Sequence, residues 1–265
     1  MFVEEVFLEE FKIDYSDENL FDLITEFYEL YSARPVKDNH GGMKSPHLFN
    51  TWYIIKQKQP KMVIESGVWK GLGTWLIEKA APDCKIISID LDFSNLVYKS
   101  DKVTYLNRDI RSYDWPKIFK ELNVNPSEAL VFLDDHQNFL DRLEFLYNLG
   151  IGDVMYEDNY PPSQGNCLSP KKIIACQDYI IDEHGVRTLN KFSYNYLDKF
   201  YTYVNHYQEL PPLFKVDTTR WGDKWAEPAY LTPLALLNNK DRSKYPIFFE
   251  EADSYTWICY MRLGV

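Results

Sequence analysis

Apolar and polar positions change their period along this 265-residue chain, and the changes mark its elements. Leu20, Leu23, Ile24, Phe27 and Tyr31 recur at the spacing of one helix face, and Asp17 and Glu18 favour a start near Ser16 through the helix dipole. Residues 33–42 carry no period. Ser45 and Pro46 then read as the N-cap and first residue of a second helix running to about Lys58. From Lys61 onward short apolar runs alternate with helical stripes. Residues 62–64, 85–89, 103–106, 129–133 and 153–156 predict strands. Leu72, Trp75, Leu76 and Lys79 predict a helix, as do Phe139, Leu140, Leu143, Leu146 and Tyr147, the latter stopping at Gly150. Such alternation implies a parallel sheet with right-handed crossovers and helices on both faces. After Pro161 the pattern is hard to read, being rich in Tyr, Phe and Asn, and a last strand is expected near residues 256–261.

Composition narrows the partners. Hydrophobic residues make up 45% and charged residues 26%, an ordinary globular balance. The formal charge of −11 repels phosphate polymers and anionic surfaces, and no Lys/Arg run offsets it, which argues against nucleic acid. No apolar stretch reaches the roughly 18 residues of a membrane span. The start Met1-Phe2-Val3-Glu4-Glu5 does not look like a signal peptide. Cys84, Cys167, Cys176 and Cys259 have neither zinc nor disulfide-scaffold spacing. A reduced, cytoplasmic protein is expected.

In open parallel sheets ligands bind beyond the carboxyl ends of the strands. The first strand is followed by Glu65-Ser66-Gly67-Val68-Trp69-Lys70-Gly71-Leu72-Gly73-Thr74, whose glycines allow a tight turn and close backbone approach beside a helix N-terminus. A Walker loop is excluded because its Gly-Lys-Ser/Thr ending is absent, and a nicotinamide turn would space its glycines differently. The second strand ends at Asp90, a carboxylate able to accept both hydroxyls of a ribose. The fourth ends in Asp134-Asp135-His136 and the fifth in Glu157-Asp158-Asn159, hard oxygen donors at one sheet edge that suit Mg²⁺ or Mn²⁺. The plain alternative for each motif is a polar turn.

In this order and spacing the motifs resemble class I S-adenosylmethionine (SAM)-dependent methyltransferases. The resemblance spans about residues 61–160 and implies a Rossmann-like, seven-stranded, mostly parallel sheet. It implies that Glu65, Gly67, Trp69, Gly71 and Thr74 face the methionine end of SAM or of its product S-adenosylhomocysteine (SAH), that Asp90 holds the ribose, and that Asp109 contacts the adenine, with Asp134 bordering the cofactor. The acids after the fourth and fifth strands are similar to those of metal-dependent O-methyltransferases. Asp134 with Asp158-Asn159 resembles catechol O-methyltransferase, while Glu157-Asp158 with a nearby His is closer to macrolide-sugar methyltransferases and the cephalosporin-hydroxylase-like group. By that likeness Asp134, Glu157 and Asp158 are metal ligands, with Asp135 and Asn159 in reserve and the choice between Asp134 and Asp135 open. The catechol enzymes' lysine base is missing.

The resulting expectation is an O-methyltransferase acting on a hydroxyl of a sugar or glycoconjugate. A phenolic or natural-product acceptor, a hydroxylase-like relative, and a non-catalytic cofactor-binding module of a larger glycan-assembly enzyme stand as alternatives. Self-association and attachment to a glycosyltransferase domain stay open. His136 is the expected base, with Asp135 behind it; helix capping and metal ligation are the other roles open to His136. Residues 1–60 are expected to form a helical extension and lid, with Gly41 and Gly42 as hinge, and 61–265 the methyltransferase domain. His47, His184 and His206 read as structural or surface residues, and Arg220 to Trp225 as core or as an aromatic platform for a sugar ring.

Overall fold

The computed structural model describes residues 11–181, 187–191 and 194–265. Among these residues nine strands follow in order: β1 (Met62–Ser66), β2 (Lys85–Ile89), β3 (Val103–Leu106), β4 (Ala129–Leu133), β5 (Asp153–Tyr156), β6 (Gln177–Ile181), β7 (Arg187–Lys191), β8 (Val204–Glu209) and β9 (Cys259–Leu263). Seven form one sheet in the order β3-β2-β1-β4-β5-β9-β8, and β6 and β7 make a separate antiparallel pair. β1 to β5 are mutually parallel, while β9 runs antiparallel to both β5 and β8. The expected Rossmann-like, mostly parallel sheet is what the chain forms. The last strand begins three residues later than expected because Trp257 takes a left-handed φ of 67°, which interrupts extended backbone.

Among the described residues eight helices accompany the sheet: α1 (Leu20–Ser32), α2 (Ser45–Lys58), α3 (Leu72–Ala80), α4 (Trp115–Leu122), α5 (Phe139–Leu149), α6 (Pro170–Ile174), α7 (Tyr194–Tyr203) and α8 (Pro246–Glu250). Alternation along the strands divides the core into two layers. Val63, Ile86, Leu130, Phe132 and Met155 face α1, α2 and α3, whereas Met62, Ile64, Ile87, Val131 and Leu133 face α4 and α5. The first layer runs without a break from Ile24, Phe27 and Trp52 to Trp75, Tyr255 and Trp257, so apolar packing is continuous across residue 60. α2 is buried from Ser45 to Ile55, the mark of an interior helix. Its N-cap is Lys44, not Ser45. The Glu251 carboxylate accepts from the Ser45 amide at 2.9 Å, and a partner distant in sequence thus replaces a local cap. Among the described residues no helix is long and apolar enough to cross a membrane.

The ladder continues one residue beyond several strands. The Gly67 amide donates to Ile89 O, Asp90 N to Leu106 O, Asp134 N to Ser66 O and Glu157 N to Leu133 O, at 2.7–3.1 Å. Gly67, Asp90, Asp134 and Glu157 therefore stand in one row across the sheet edge. The chain leaves β1 toward β2 on one side and reaches β4 on the other, so this row crosses the crevice where strand order switches. Gly67 has φ 98°, and a Cβ on it would run into the Asp134 carbonyl. Gly67→Ala should prise β1 and β4 apart at this edge, lowering the unfolding midpoint by several degrees and weakening ligand binding in the crevice. Wild-type melting and binding in that variant would contradict the role given to this contact.

Candidate functional site

A cavity of about 230 Å³ opens at the switch point, with walls that include Gly67, Trp69, Asp90, Asp109, Asp134, Asp135, His136 and Arg142. Asp90 organises the glycine loop. Its Oδ2 accepts from the amides of Val68 (2.9 Å) and Trp69 (3.1 Å), and its Oδ1 from Asp92 N (3.1 Å). A carboxylate offers about four acceptor sites, so capacity remains for a ligand hydroxyl. Gly71, φ 83°, starts α3, and a Cβ there would strike the Tyr98 carbonyl. Trp69 is 40% exposed. Its indole N–H donates to His40 O at 3.0 Å, and Lys70 Nζ donates to Asp38 O at 2.8 Å. The expected lid segment is thus tied to the glycine loop, with Gly41 and Gly42 lining the cavity.

Glu65 and Thr74 lie behind this wall. Thr74 Oγ1 (2.5 Å) and Ser88 Oγ (2.6 Å) both donate to Glu65 Oε2, while Glu65 Oε1 is buried without a partner. Burial pushes the Glu65 carboxyl up to about 7, against the pull of those two hydroxyls.

Arg142 was not foreseen. It is buried within the α5 stripe and forks to Asp109, Nη1 to Oδ1 at 3.1 Å and Nη2 to Oδ2 at 2.8 Å, while its Nε donates to Asp135 Oδ2 at 3.0 Å. Burial opposes ionisation of Asp109, yet Arg142 and Arg111 hold its carboxyl well below the usual range. Ser66 Oγ also donates to Asp135 Oδ2, at 2.7 Å. An arginine between Phe139 and Leu143 on an apolar face was the readable signal, since a buried guanidinium requires acidic partners.

The acids after β4 and β5 converge. Ligand atoms of Asp134, His136 and Asp158 lie within 4.8 Å of one another. Asp158 is fully buried; its Oδ2 accepts from the His136 amide at 2.9 Å, and its Oδ1 lies 3.0 Å from His136 Nδ1 but takes no hydrogen bond. His136, φ 53° and half exposed, also meets Asn166 Oδ1 through Nδ1 at 3.3 Å. Burial and repulsion from Glu157 raise Asp134 and Asp158 well above the carboxylate range. Glu157 is buried too, but its carboxyl is lowered because His47 lies against it. His47 Nδ1 is 2.5 Å from Glu157 Oε1, and His47 Nε2 accepts from the Thr256 amide at 3.0 Å. The histidine read as structural therefore reaches the acid cluster from α2. Asn159 is engaged at both ends, donating to Tyr207 OH (3.0 Å) and accepting from Lys171 N (2.9 Å). His206 is buried in β8, in keeping with a structural role, and His184 lies outside the described residues. Trp221 stacks on Trp257 with ring centres 6.1 Å apart and meets the edge of Tyr160 at 6.3 Å, two residues from Asp158. All four cysteines are free.

No protein-family model matches the sequence, and no curated protein matches it. Several solved structures are similar to it. The O-methyltransferase from Bacillus cereus in complex with SAH aligns over 97% of this chain and 95% of its own, at 11% identity and a TM-score of 0.44. The O-methyltransferase TomG from Streptomyces achromogenes, in complex with SAM, aligns over 58% of this chain and 70% of its own at 16% identity, TM-score 0.32. CmcI with magnesium and SAM shares 22% identity over 43% of this chain and 53% of its own, TM-score 0.33, so the chain spans about half the length of CmcI.

Proposed function

We propose that the protein is a SAM-dependent, cation-assisted O-methyltransferase acting on a hydroxyl of a sugar or glycan. One observation carries the reading: Asp134 and His136, from the acid cluster, line the same cavity as Gly67, Trp69 and Asp90. The residues fit both groups that the reading requires. Glu65 Oε1 is a buried acceptor without a donor, suited to an ammonium group, and Asp90, with three of its roughly four acceptor sites taken, retains one suited to a ribose hydroxyl. Asp158 Oδ1 faces the His136 ring, 3.0 Å away, in the same cluster as Asp134, and the raised carboxyls of both acids are what a cation would relieve.

SAM supplies the methyl group on a sulfonium leaving group, and Mg²⁺ or Mn²⁺ supplies positive charge at the acceptor oxygen. Asp134, Glu157 and Asp158 would hold the cation, with His136 a further donor in reach. The chain itself must align the hydroxyl and take its proton. His136 suits the role of proton acceptor, because its Nδ1 is set against Asp158 while its Nε2 has no partner among the described residues. Asp135, the reserve base, is already engaged by Arg142 and Ser66. The stacked Trp221, with Tyr160 at its edge, offers a face for a sugar ring, and the net charge of −11 suits a neutral acceptor.

Calorimetric titration with SAH tests the cofactor half. Only ionised Glu65 attracts an ammonium group, so affinity should rise as pH passes upward through about 7 and then level off. The free protein should show the opposite trend in stability. Its folded state holds the Glu65 proton more tightly than the unfolded chain, so stability falls as pH rises from 4.5 to about 7. Glu65→Gln should bind more weakly with a flat profile, and Asp90→Ala at least tenfold more weakly. Equal affinity in a folded Asp90→Ala variant would rule the assignment out.

Chelation tests the cation: methyl transfer to a sugar acceptor should vanish with excess chelator and return with Mg²⁺ or Mn²⁺. Full turnover under chelation would leave the acids as a hydrogen-bonding floor only.

His136→Ala should lower kcat by about 10²–10⁴-fold with SAH affinity almost unchanged. A loss smaller than about threefold would remove His136 as the proton acceptor.

A further inference from the structure

We infer that His47, from α2, is the positioning residue that aims Glu157 into the acid cluster; this rests on the proposed cation site. The hydrogen bonds settle which ring nitrogen carries the proton. Nε2 accepts from the Thr256 amide, which can only donate, so the proton is on Nδ1 and is donated to Glu157 Oε1. The ring cannot turn away. Tyr255 stands edge-on to it at 5.4 Å and 89°, both ring nitrogens are engaged, and the side chain is 1% exposed.

The contact has two consequences for Glu157. With Oε1 held by His47 the orientation of the carboxylate is fixed, and Oε2 is the oxygen that would be offered to a cation. The donor also helps hold a carboxylate buried beside Asp134 and Asp158, His136 being the other nearby group whose charge favours it. Hydrogen-bonded partners of ligating side chains typically change metal affinity 10–100-fold when removed. The N-terminal 60 residues, through α2, thereby supply part of the site's geometry.

Two substitutions separate the aiming role from a purely structural one. Asparagine carries its amide near the position of Nδ1 and can still donate to Glu157, whereas glutamine reaches the position of Nε2 and can still accept from Thr256 N. Mn²⁺ affinity is read by electron paramagnetic resonance, SAH affinity by calorimetry, and folding by thermal unfolding. Wild type should bind Mn²⁺, His47→Asn should stay within about threefold of it, and His47→Gln should bind at least tenfold more weakly with SAH affinity within twofold. The reverse ranking, or Mn²⁺ binding by folded His47→Gln equal to wild type, would overturn the inference while leaving the cation site intact. Failure of the wild type itself to bind Mn²⁺ would overturn both.

Discussion

Three carboxylates, Asp134, Glu157 and Asp158, meet where β4 and β5 end, and much of the surrounding structure answers the cost of bringing them together. Buried like charges lose hydration and repel, so each must be neutralised, hydrogen-bonded or paired. Glu157 is compensated by His47 from α2, and Asp158 by the amide of His136. Asp134, at the cavity wall, has its carboxyl raised by burial and by the charge of Glu157. Alongside, Arg142 of α5 resolves the same conflict for Asp109 and Asp135 with one guanidinium. A protein seeking stability alone would place apolar residues at these positions. Acids retained beside a cavity at such a cost are the physical basis of the binding role proposed for this edge.

The sheet makes that concentration geometrically available. Parallel strands in register deliver Gly67, Asp90, Asp134 and Glu157 to one row, each held by a ladder bond to its neighbour. Glycine at position 67 lets β1 and β4 close up, and Asp90 caps the loop that follows by gathering two amides. The glycine loop in turn carries the segment 38–43 through Trp69 and Lys70, so the cavity wall and its neighbouring strap are one hydrogen-bonded unit.

Sequence alone determined the repeating strand–helix pattern, the bounds of α2 to within a residue, and the residues that follow β2, β4 and β5, whereas β1 runs two residues past the expected Ile64 and takes in Glu65 and Ser66. These depend on periodicity and on chemistry local to a turn, which a linear reading captures. Segments without clean periodicity were not legible: α4 opens on Trp115-Pro116, β8 reads Val-Asn-His-Tyr-Gln-Glu, and the pair β6 and β7 lies outside the main sheet. The tertiary structure alone decided the partners of the site. His47 lies 110 residues from Glu157 and 209 from Thr256, and Arg142 lies 33 from Asp109. Ser45 lost its capping role to a carboxylate 206 residues away. Hydrogen-bond partners of buried charges are chosen by what packing brings within about 3 Å, and no spacing rule along the chain encodes that distance.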